Sequence, residues 1–348
     1  MKIGKTILQV ILAPFSLLYW LISGFHHLSY TKGWKRSIQF DLPVINIGNL
    51  NTGGTGKTPH VSYIAQYLSK FTSVAILSRG YGRRSRGYIE VGLNHSSEEV
   101  GDEPLLLKHK NPDLPVVVCE ERVLGVPQIL HHHPEVETII LDDAFQHRRI
   151  HPSHQILLTC YGDLYIHDFP LPSGRLREPK IGANRADAII ITKVPHALNE
   201  QEIQDLRKEL KLQDEQALFY SQMQYGAVYS FQNTESILDL NTTQSLHLIC
   251  GIASPEYIIS YLEHKHINLT YTLLKDHAPF TDQFLKQWEK QCQNDLSLKI
   301  VMTEKDAMRL KAKIDTYPHL HKAIWILPIT LKIGPDEKAF QSLLKSWL

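Results

Sequence analysis

A short run of small, basic and hydroxyl residues could bind the phosphates of a nucleotide. It follows an apolar segment at 43–47 and precedes a helical pattern that starts near residue 59. Backbone N–H groups of such a loop surround phosphate oxygens, and the positive end of the following helix adds to the attraction. Lys57 would reach the β- and γ-phosphates, and the Thr58 hydroxyl would ligate Mg²⁺. We therefore predict a nucleoside triphosphate site of the P-loop kind, made by Asn51, Thr52, Gly53, Gly54, Thr55, Gly56, Lys57 and Thr58.

Two aspartates supply the acidic partner that such a loop needs. Asp142 and Asp143 directly follow the apolar residues 139–141. In P-loop proteins the metal is held by a carboxylate at the end of a buried strand. An aspartate that only caps a strand is the alternative, but a pair in a chain with this glycine loop favours the metal site. We predict that Thr58, Asp142 and Asp143 hold Mg²⁺.

Further polar residues follow predicted strands, at the sheet edge where ligands of such folds bind. Arg79 and Arg177 could stabilise phosphate charge, whereas a basic surface loop is the plain alternative. The expected pocket residues of this group are Arg79, Tyr81, Gln146, His147 and Arg177.

Asp102 has two competing interpretations. It opens a predicted helix after Gly101, where an aspartate is a natural N-cap. Transfer of a phosphoryl group to an alcohol also needs a carboxylate that orients or deprotonates the hydroxyl, and Asp102 is a candidate on that ground. His277 follows a much later strand, and a lone histidine there is most often structural.

Short apolar runs alternate with helical patterns along the chain. Near-continuous Val, Ile and Leu strands separated by helices indicate a parallel sheet covered on both faces. The predicted fold class is α/β, a doubly wound and mostly parallel sheet of the P-loop nucleoside triphosphatase type. The pattern restarts at 246–250 after a polar stretch at 232–244, which predicts a second, smaller α/β domain.

The N-terminal part of the chain predicts contact with a membrane. Residues 7–28 carry no formal charge when the histidines are neutral, and about 20 apolar residues can span a bilayer as a helix. Basic residues stand on both sides of this segment, and Tyr19 with Trp20 favours the membrane interface. We expect a helix that lies in the cytoplasmic interface, with a spanning helix or a buried helix as alternatives.

Charge and cysteine usage narrow the function classes. Lys and Arg number 37 against 36 Asp and Glu, so the formal net charge is +1. This balance gives no overall field for a nucleic acid backbone, and we expect no nucleic acid partner. The four cysteines are far apart in sequence, without zinc-site spacing or disulfide density, which fits a reducing cytoplasm.

The choice of base and of reaction leaves rival interpretations. Guanine-specific P-loop proteins carry Asn-Lys-x-Asp after a strand, but here Thr192-Lys193 is followed by Pro195 in place of the aspartate, so adenine is expected. A membrane-associated P-loop switch ATPase is the main alternative to a kinase. Such switches carry an extra lysine just before the paired glycines, where this chain has Thr52. A GTPase switch and a non-enzymatic nucleotide-binding scaffold are further alternatives.

Taken together, these segments resemble the tetraacyldisaccharide 4′-kinase family, and the likeness covers nearly the whole chain. Ala144 stands where the family usually has glycine, whereas Asn51 in place of the first loop glycine is a family trait. The segments that carry the resemblance are the apolar N-terminus, 48–49, 53–59, 78–83, 101–104, 142–147, 176–179, 276–277 and 303–306.

The resemblance implies transfer of the ATP γ-phosphate to the 4′-hydroxyl of tetraacyldisaccharide 1-phosphate, giving lipid IVA. It implies a lipid substrate at the cytoplasmic face of a bacterial inner membrane, a peripheral or monotopic attachment, and no obligate protein partner. We predict a membrane-associated helix with a basic flank at 1–36, a P-loop kinase core at 37–225 and a smaller α/β domain at 226–348 that closes over the active site. The catalytic residues that the resemblance implies are Asp102, His277, Lys57, Asp142 and Asp143. The pocket residues that it implies are Arg79, Tyr81, Gln146, His147, Arg177 and Glu178.

Overall fold

The computed structural model describes the backbone of residues 2–348 and side chains from residue 9 onward. Met1, the first residue of the expected membrane segment, lies outside the described residues, as do the side chains of Lys2 and Lys5. The helices are α1 Lys2–Thr31, α2 Lys57–Leu68, α3 Ser97–Val100, α4 Asp102–Lys110, α5 Arg122–His132, α6 Glu200–Glu209, α7 Glu256–Glu263, α8 Asp282–Asn294, α9 Glu304–Leu310, α10 Pro318–Ala323 and α11 Glu337–Lys345. Short 3₁₀ turns lie at Tyr165–His167, Lys180–Arg185 and Ile314–Thr316.

The strands alternate with these helices. They are β1 Val44–Gly48, β2 Val74–Ser78, β3 Ile89–Glu90, β4 Val116–Val118, β5 Thr138–Asp142, β6 His154–Cys160, β7 Ala188–Thr192, β8 Ala217–Tyr225, β9 Val228–Ser230, β10 Ile237–Leu238, β11 Ser245–Cys250, β12 Asn268–Leu273, β13 Ile300–Thr303, β14 Ile324–Leu327 and β15 Ile329–Ile333.

The larger sheet has β1 at its centre. Its strand order is β15-β8-β7-β6-β1-β5-β2-β4-β3. The strands from β8 to β4 run parallel, and only the two edge strands β15 and β3 run antiparallel to their neighbours. Strands β1, β2 and β5 are buried throughout, which explains their continuous apolar sequences. The carboxyl ends of these three strands therefore meet at one edge of the sheet.

The smaller sheet has the order β10-β9-β14-β13-β11-β12. Strands β14, β13, β11 and β12 are parallel, and β9 with β10 forms an antiparallel hairpin at one side. The polar stretch expected between the two sheets thus contains the second strand of this hairpin. Both sheets are mixed and mostly parallel, so the predicted α/β class with mostly parallel strands is confirmed.

The C-terminus returns from the smaller sheet to the larger one. β15 pairs with β8, with Ile329 opposite Tyr225. Helix α11 packs on α2, where the Tyr63 hydroxyl donates to the Glu337 carboxylate at 2.5 Å and the Phe340 ring lies 6.3 Å from the Tyr63 ring. The expected domain boundary between residues 225 and 226 stays a prediction, and strand pairing groups 329–333 with the larger sheet.

Helix α1 is long and apolar. Its segment Gln9–Thr31 has the length and composition to cross a membrane, and only 6% of that window is buried against the protein. Large apolar side chains such as Phe15, Ile22 and Phe25 are more than half exposed. A helix with this much uncovered apolar surface is consistent with membrane association.

Removing the Phe340 side chain tests whether the C-terminal return is part of the folding unit. Phe340 is fully buried between Tyr63 and Phe219. We expect Phe340→Ala to lower the free energy of unfolding by about 3–5 kcal/mol, measured by urea denaturation in detergent. Leu296→Ala is the control, because Leu296 is 83% exposed. Equal stabilities of the two variants would contradict this packing role.

Candidate active site

A cleft of about 680 Å³ lies between the two sheets, at the carboxyl ends of their parallel strands. The residues that follow β1, β2, β5 and β6 form one wall, and the residues that follow β11, β12 and β13 form the other. On the first wall lie the predicted residues Asn51, Thr52, Gly53, Gly54, Thr55, Gly56, Lys57, Thr58, Arg79, Tyr81, Asp142, Asp143, Gln146, His147 and Arg177, and on the second lies His277.

The glycine loop leads directly into α2, whose first residue is Lys57. Gly56 stands before that residue with φ of +82°, a backbone conformation that side chains disfavour, so glycine makes this turn without strain. The Lys57 ammonium lies 3.3 Å from Asn49 Oδ1 and 3.5 Å from Asp143 Oδ2. The positive N-terminus of α2 and the Lys57 charge are thus held at one end of the cleft.

The two aspartates differ in their surroundings. Asp142 Oδ2 accepts a hydrogen bond of 2.8 Å from the Ser78 hydroxyl, and burial, followed by the neighbouring Asp143 charge, raises the pKa of Asp142. Burial also opposes ionisation of Asp143, but Lys57 and Arg177 outweigh it and lower the pKa of that carboxyl. Asp143 has a φ of +49°. This uncommon conformation for a non-glycine residue holds its carboxylate between the two cations.

Arg177 joins the acid pair to the start of the glycine loop. Its guanidinium donates to both oxygens of Asp143, at 2.8 and 3.3 Å, and to the side chain of Asn49. Gln146 donates to the Asn49 carbonyl at 2.9 Å and to Glu178 at 2.8 Å. Glu178 is 1% exposed and also accepts from Arg185. It therefore supports the cleft wall from behind and does not line the cleft.

The other predicted pocket residues lie around the cleft opening. Arg79 and Tyr81 line it, and Tyr81 is 68% exposed with its ring 5.6 Å from that of His277. Burial, followed by the charge of Arg122, lowers the pKa of His147 to about 4, so this imidazole is neutral near pH 7. Asn51 also lines the cleft, and its side-chain amide donates to the Asp168 carboxylate at 3.2 Å.

Asp102 and His277 meet across the cleft from different sheets. Asp102 is the first residue of α4, and Gly101 before it has a φ of +93°. His277 follows β12, also with positive φ, and its Nδ1 lies 2.9 Å from Asp102 Oδ2. Asp102 is 4% exposed, whereas the half-buried His277 ring lines the cleft. The Asp102 carboxylate is therefore connected to the cleft by its contact with the His277 imidazole.

A lysine completes this second cluster. Lys305 Nζ lies 2.7 Å from Glu103, 3.2 Å from Asp276 and 3.9 Å from Asp102. Burial, followed by the adjacent Asp102, raises the pKa of Glu103 to about 7, against the opposing Lys305 charge. Asp102, Glu103 and His277 present ligand atoms within 4.8 Å of one another, close enough for a metal ion. The ammonium of Lys305 already supplies a cation there.

Sequence reasoning missed several of these neighbours. Asn49, Glu103 and Lys305 lie in the segments that carry the family resemblance, but no motif gives them a role, and Arg122 lies in none of these segments. Glu103 is adjacent to Asp102, which is the one available signal for it. Arg122 is buried at the start of α5 and donates to the Asp143 carbonyl at 3.4 Å, which no spacing rule indicates.

The donor set of the first wall fits Mg²⁺. Thr58, Asp142 and Asp143 offer hydroxyl and carboxylate oxygens, the ligands that Mg²⁺ prefers. The pKa of buried Asp142 is raised, so its ionised form is short of positive charge. A dication beside it would supply that charge, while Asp143 already has Lys57 and Arg177 as partners.

Comparisons with known proteins identify the family. The model of the tetraacyldisaccharide-1-P 4′-kinase family, LpxK, matches residues 8–348. The chain belongs to this family. The tetraacyldisaccharide 4′-kinase of Flavobacterium johnsoniae is 40% identical over 307 residues, 88% of each chain. That of Cytophaga hutchinsonii is 38% identical over 335 residues, 95% of this chain and 93% of the relative.

A solved LpxK structure has the same architecture. It is the crystal structure of LpxK from Aquifex aeolicus in complex with ATP, with a TM-score of 0.77 and 29% sequence identity. The match covers 98% of this chain and 99% of the other. The family suggested by the sequence motifs is therefore confirmed, and the ATP of this neighbour agrees with the type of ligand that they predict.

The contact of His277 with Asp102 predicts a pH-dependent contribution to stability. The hydrogen bond with Asp102 raises the pKa of His277 above its ordinary value of 6.5. Protonated His277 therefore stabilises the folded state below pH 6.5, and this stabilisation is lost as the pH rises through the raised pKa. We expect the stability difference between wild type and His277→Gln to shrink over that range in urea denaturation. The exposed His264→Gln variant is the control, and a difference that grows with pH would contradict the assignment.

Proposed function

We propose that the protein transfers the γ-phosphate of ATP to the 4′-hydroxyl of tetraacyldisaccharide 1-phosphate, giving lipid IVA. The observation that carries this proposal is the pairing, across one cleft, of a glycine loop and acid pair with the Asp102–His277 contact at 2.9 Å. A nucleotide switch needs the first wall only. A group-transfer enzyme also needs the second, where a hydroxyl can lose its proton.

The finer fold assignment belongs to this proposal. We assign the larger sheet as a doubly wound core of the P-loop nucleoside triphosphatase type, because the glycine loop connects central strand β1 to α2. Residues 37–225 contribute most of this core. The part of 226–348 that forms the smaller sheet would close over the active site, carrying His277 toward Asp102.

Each residue of the first wall has a proposed task. Lys57 and the backbone of residues 51–56 bind the phosphates, and Arg79 with Arg177 offsets charge on the transferring group. Thr58 and Asp142 would ligate Mg²⁺ directly, and Asp143 would support it while holding Lys57 and Arg177. When bound, the ion would neutralise charge on the β- and γ-phosphate oxygens.

The Asp102–His277 pair would take the proton of the acceptor. As the 4′-hydroxyl oxygen attacks the γ-phosphorus, its proton passes to the pair, the bond from that phosphorus to the bridging oxygen of ADP breaks, and ADP leaves with that oxygen. Lys305 and Glu103 hold His277 from its other side, at 3.3 and 3.4 Å from Nε2. Closure of the cleft would exclude water, which would otherwise compete as acceptor.

The apolar end of the cleft is suited to an adenine ring. Met223, Tyr225, Ile252 and Tyr257 line it, with the Lys193 ammonium 4.8 Å from the centre of the Tyr257 ring. Aromatic and aliphatic side chains bind a base by stacking without fixing its hydrogen-bonding edge. We propose ATP as the nucleotide because the Aquifex aeolicus relative binds ATP and because Pro195 stands where guanine-specific P-loop proteins need an aspartate.

We also propose that α1 attaches the protein to the cytoplasmic face of the bacterial inner membrane. The acyl chains of the acceptor leave a bilayer only at a cost of about 0.8 kcal/mol per CH₂ group. The enzyme must therefore work at the membrane surface, and the exposed apolar side chains of α1 are available there.

Transfer of labelled phosphate tests the reaction. We expect wild type to label tetraacyldisaccharide 1-phosphate in detergent micelles. Lys57→Ala should abolish labelling, and Asp102→Ala should lower turnover by about 10²–10⁴-fold with ATP affinity retained. Hydrolysis of ATP without labelled lipid would favour the membrane-associated switch ATPase. Full turnover by Asp102→Ala would remove this residue from the mechanism.

Charges on the exposed face of α1 test the membrane attachment. Leu18 and Ile22 are 56% and 62% exposed and lie four residues apart on the helix. We expect Leu18→Glu with Ile22→Glu to reduce sedimentation with phospholipid vesicles by at least about tenfold, because two charges replace apolar contact. A pair of glutamates at exposed Phe71 and Leu296, away from α1, is the control. Equal vesicle binding of both variants would contradict the attachment.

A further inference from the structure

We propose that α1 also positions the phosphate site, and that the Tyr19 hydroxyl is the positioning group that links the two. The link passes through residues 173–179, here called the bridging loop. This inference rests on the proposed function only for the identity of the nucleotide. It adds to membrane attachment a second task of α1, which is to hold Arg177 against the acid pair.

The first step is the contact between α1 and the bridging loop. The Tyr19 hydroxyl donates to the Arg177 carbonyl at 2.8 Å. One turn earlier, Ser16 is 6% exposed and its hydroxyl lies 2.7 Å from that of Ser173, whose backbone N–H donates to it at 2.9 Å. These polar contacts lie on the side of α1 that faces the protein, in a helix whose other sides are exposed and apolar.

The second step joins the bridging loop to the glycine loop. The Arg177 N–H donates to the Leu50 carbonyl, and the Thr52 N–H donates to the Arg175 carbonyl, both at 2.8 Å. Leu176 between them is fully buried. The bridging loop therefore runs beside the entry to the glycine loop like a short added strand, and moving one would move the other.

The third step is made by the Arg177 side chain. Its guanidinium contacts Asp143 and Asn49, the same two residues that lie within 3.5 Å of the Lys57 ammonium. Tyr19 holds the backbone of Arg177, and Arg177 in turn fixes the two groups that orient Lys57. Each step of the path from α1 to the phosphate-binding Lys57 is therefore a direct contact between two residues.

A buried carboxylate reinforces the same connection. Glu178 follows Arg177 and lies 3.4 Å from the His27 ring of α1, while its other oxygen accepts from Gln146 of the cleft wall. Gly24 of α1 lies against Pro179, where an added Cβ would be 3.5 Å from the proline ring. Helix α1 thus contacts the bridging loop along about three turns, from Ser16 to His27.

A double-mutant cycle tests the proposal. Tyr19→Phe removes only the hydroxyl, and Ser23→Ala is the control, because the Ser23 hydroxyl donates within α1 to the Trp20 carbonyl. We expect Tyr19→Phe to weaken ATP binding and to lower kcat/KM by about three- to tenfold each, the effect of one hydrogen bond. In an Arg177→Ala or Arg177→Lys background, the same change should alter either quantity less than about twofold. Circular dichroism and vesicle sedimentation should be unchanged.

Two results would overturn the proposal. Tyr19→Phe could weaken ATP binding by the same factor in the Arg177 variants as in the protein that retains Arg177. The effect would then not pass through the Arg177 side chain. Tyr19→Phe and Ser23→Ala could instead be indistinguishable from wild type in ATP affinity. ATP binding is measured by calorimetry without the lipid acceptor. A protein that fails to label lipid but shows the predicted cycle would therefore contradict the proposed reaction and support the positioning role.

Discussion

The arrangement of the site depends on two neighbouring carboxylates that are buried at the end of one strand. Asp142 and Asp143 repel each other, and burial opposes ionisation of both. The surrounding chain supplies the compensation, with Lys57 and Arg177 on Asp143 and a hydroxyl on Asp142. Most of the cleft wall can be understood as the means of bringing these partners from three separate loops to one point.

The same constraint explains why the strands are arranged as they are. Parallel strands place the residues that follow them at one edge, so loops distant in sequence converge without long connections. β1 lies between β5 and β6, and the glycine loop, the acid pair and the bridging loop all come from its neighbourhood. The second wall is built in the same way by parallel strands of the smaller sheet. His277 and Lys305 follow β12 and β13, and both lie close to Asp102.

The sequence was most informative where chemistry and local pattern coincide. The glycine loop and the aspartate pair combine strict residue types with an apolar strand before them. Both the elements and the proximity of the loop to the aspartates could therefore be predicted. The return of β15 to β8 could not be predicted, because a five-residue strand carries no mark of the sheet that it joins. The roles of Lys305 and Arg122 could not be predicted from the sequence for a related reason. Their partners are far away in sequence, and a single basic residue has no periodicity that points to them.

The return of β15 to the larger sheet affects how that sheet forms while the chain is being synthesised. Helix α1 and β8 both precede the smaller sheet in the chain, whereas β15, which pairs with the edge of β8, follows that sheet. Until β15 has been made, β8 has an unpaired edge that can attract other strands. The larger sheet, which carries the glycine loop and the acid pair, therefore cannot be completed before the whole smaller sheet has been synthesised.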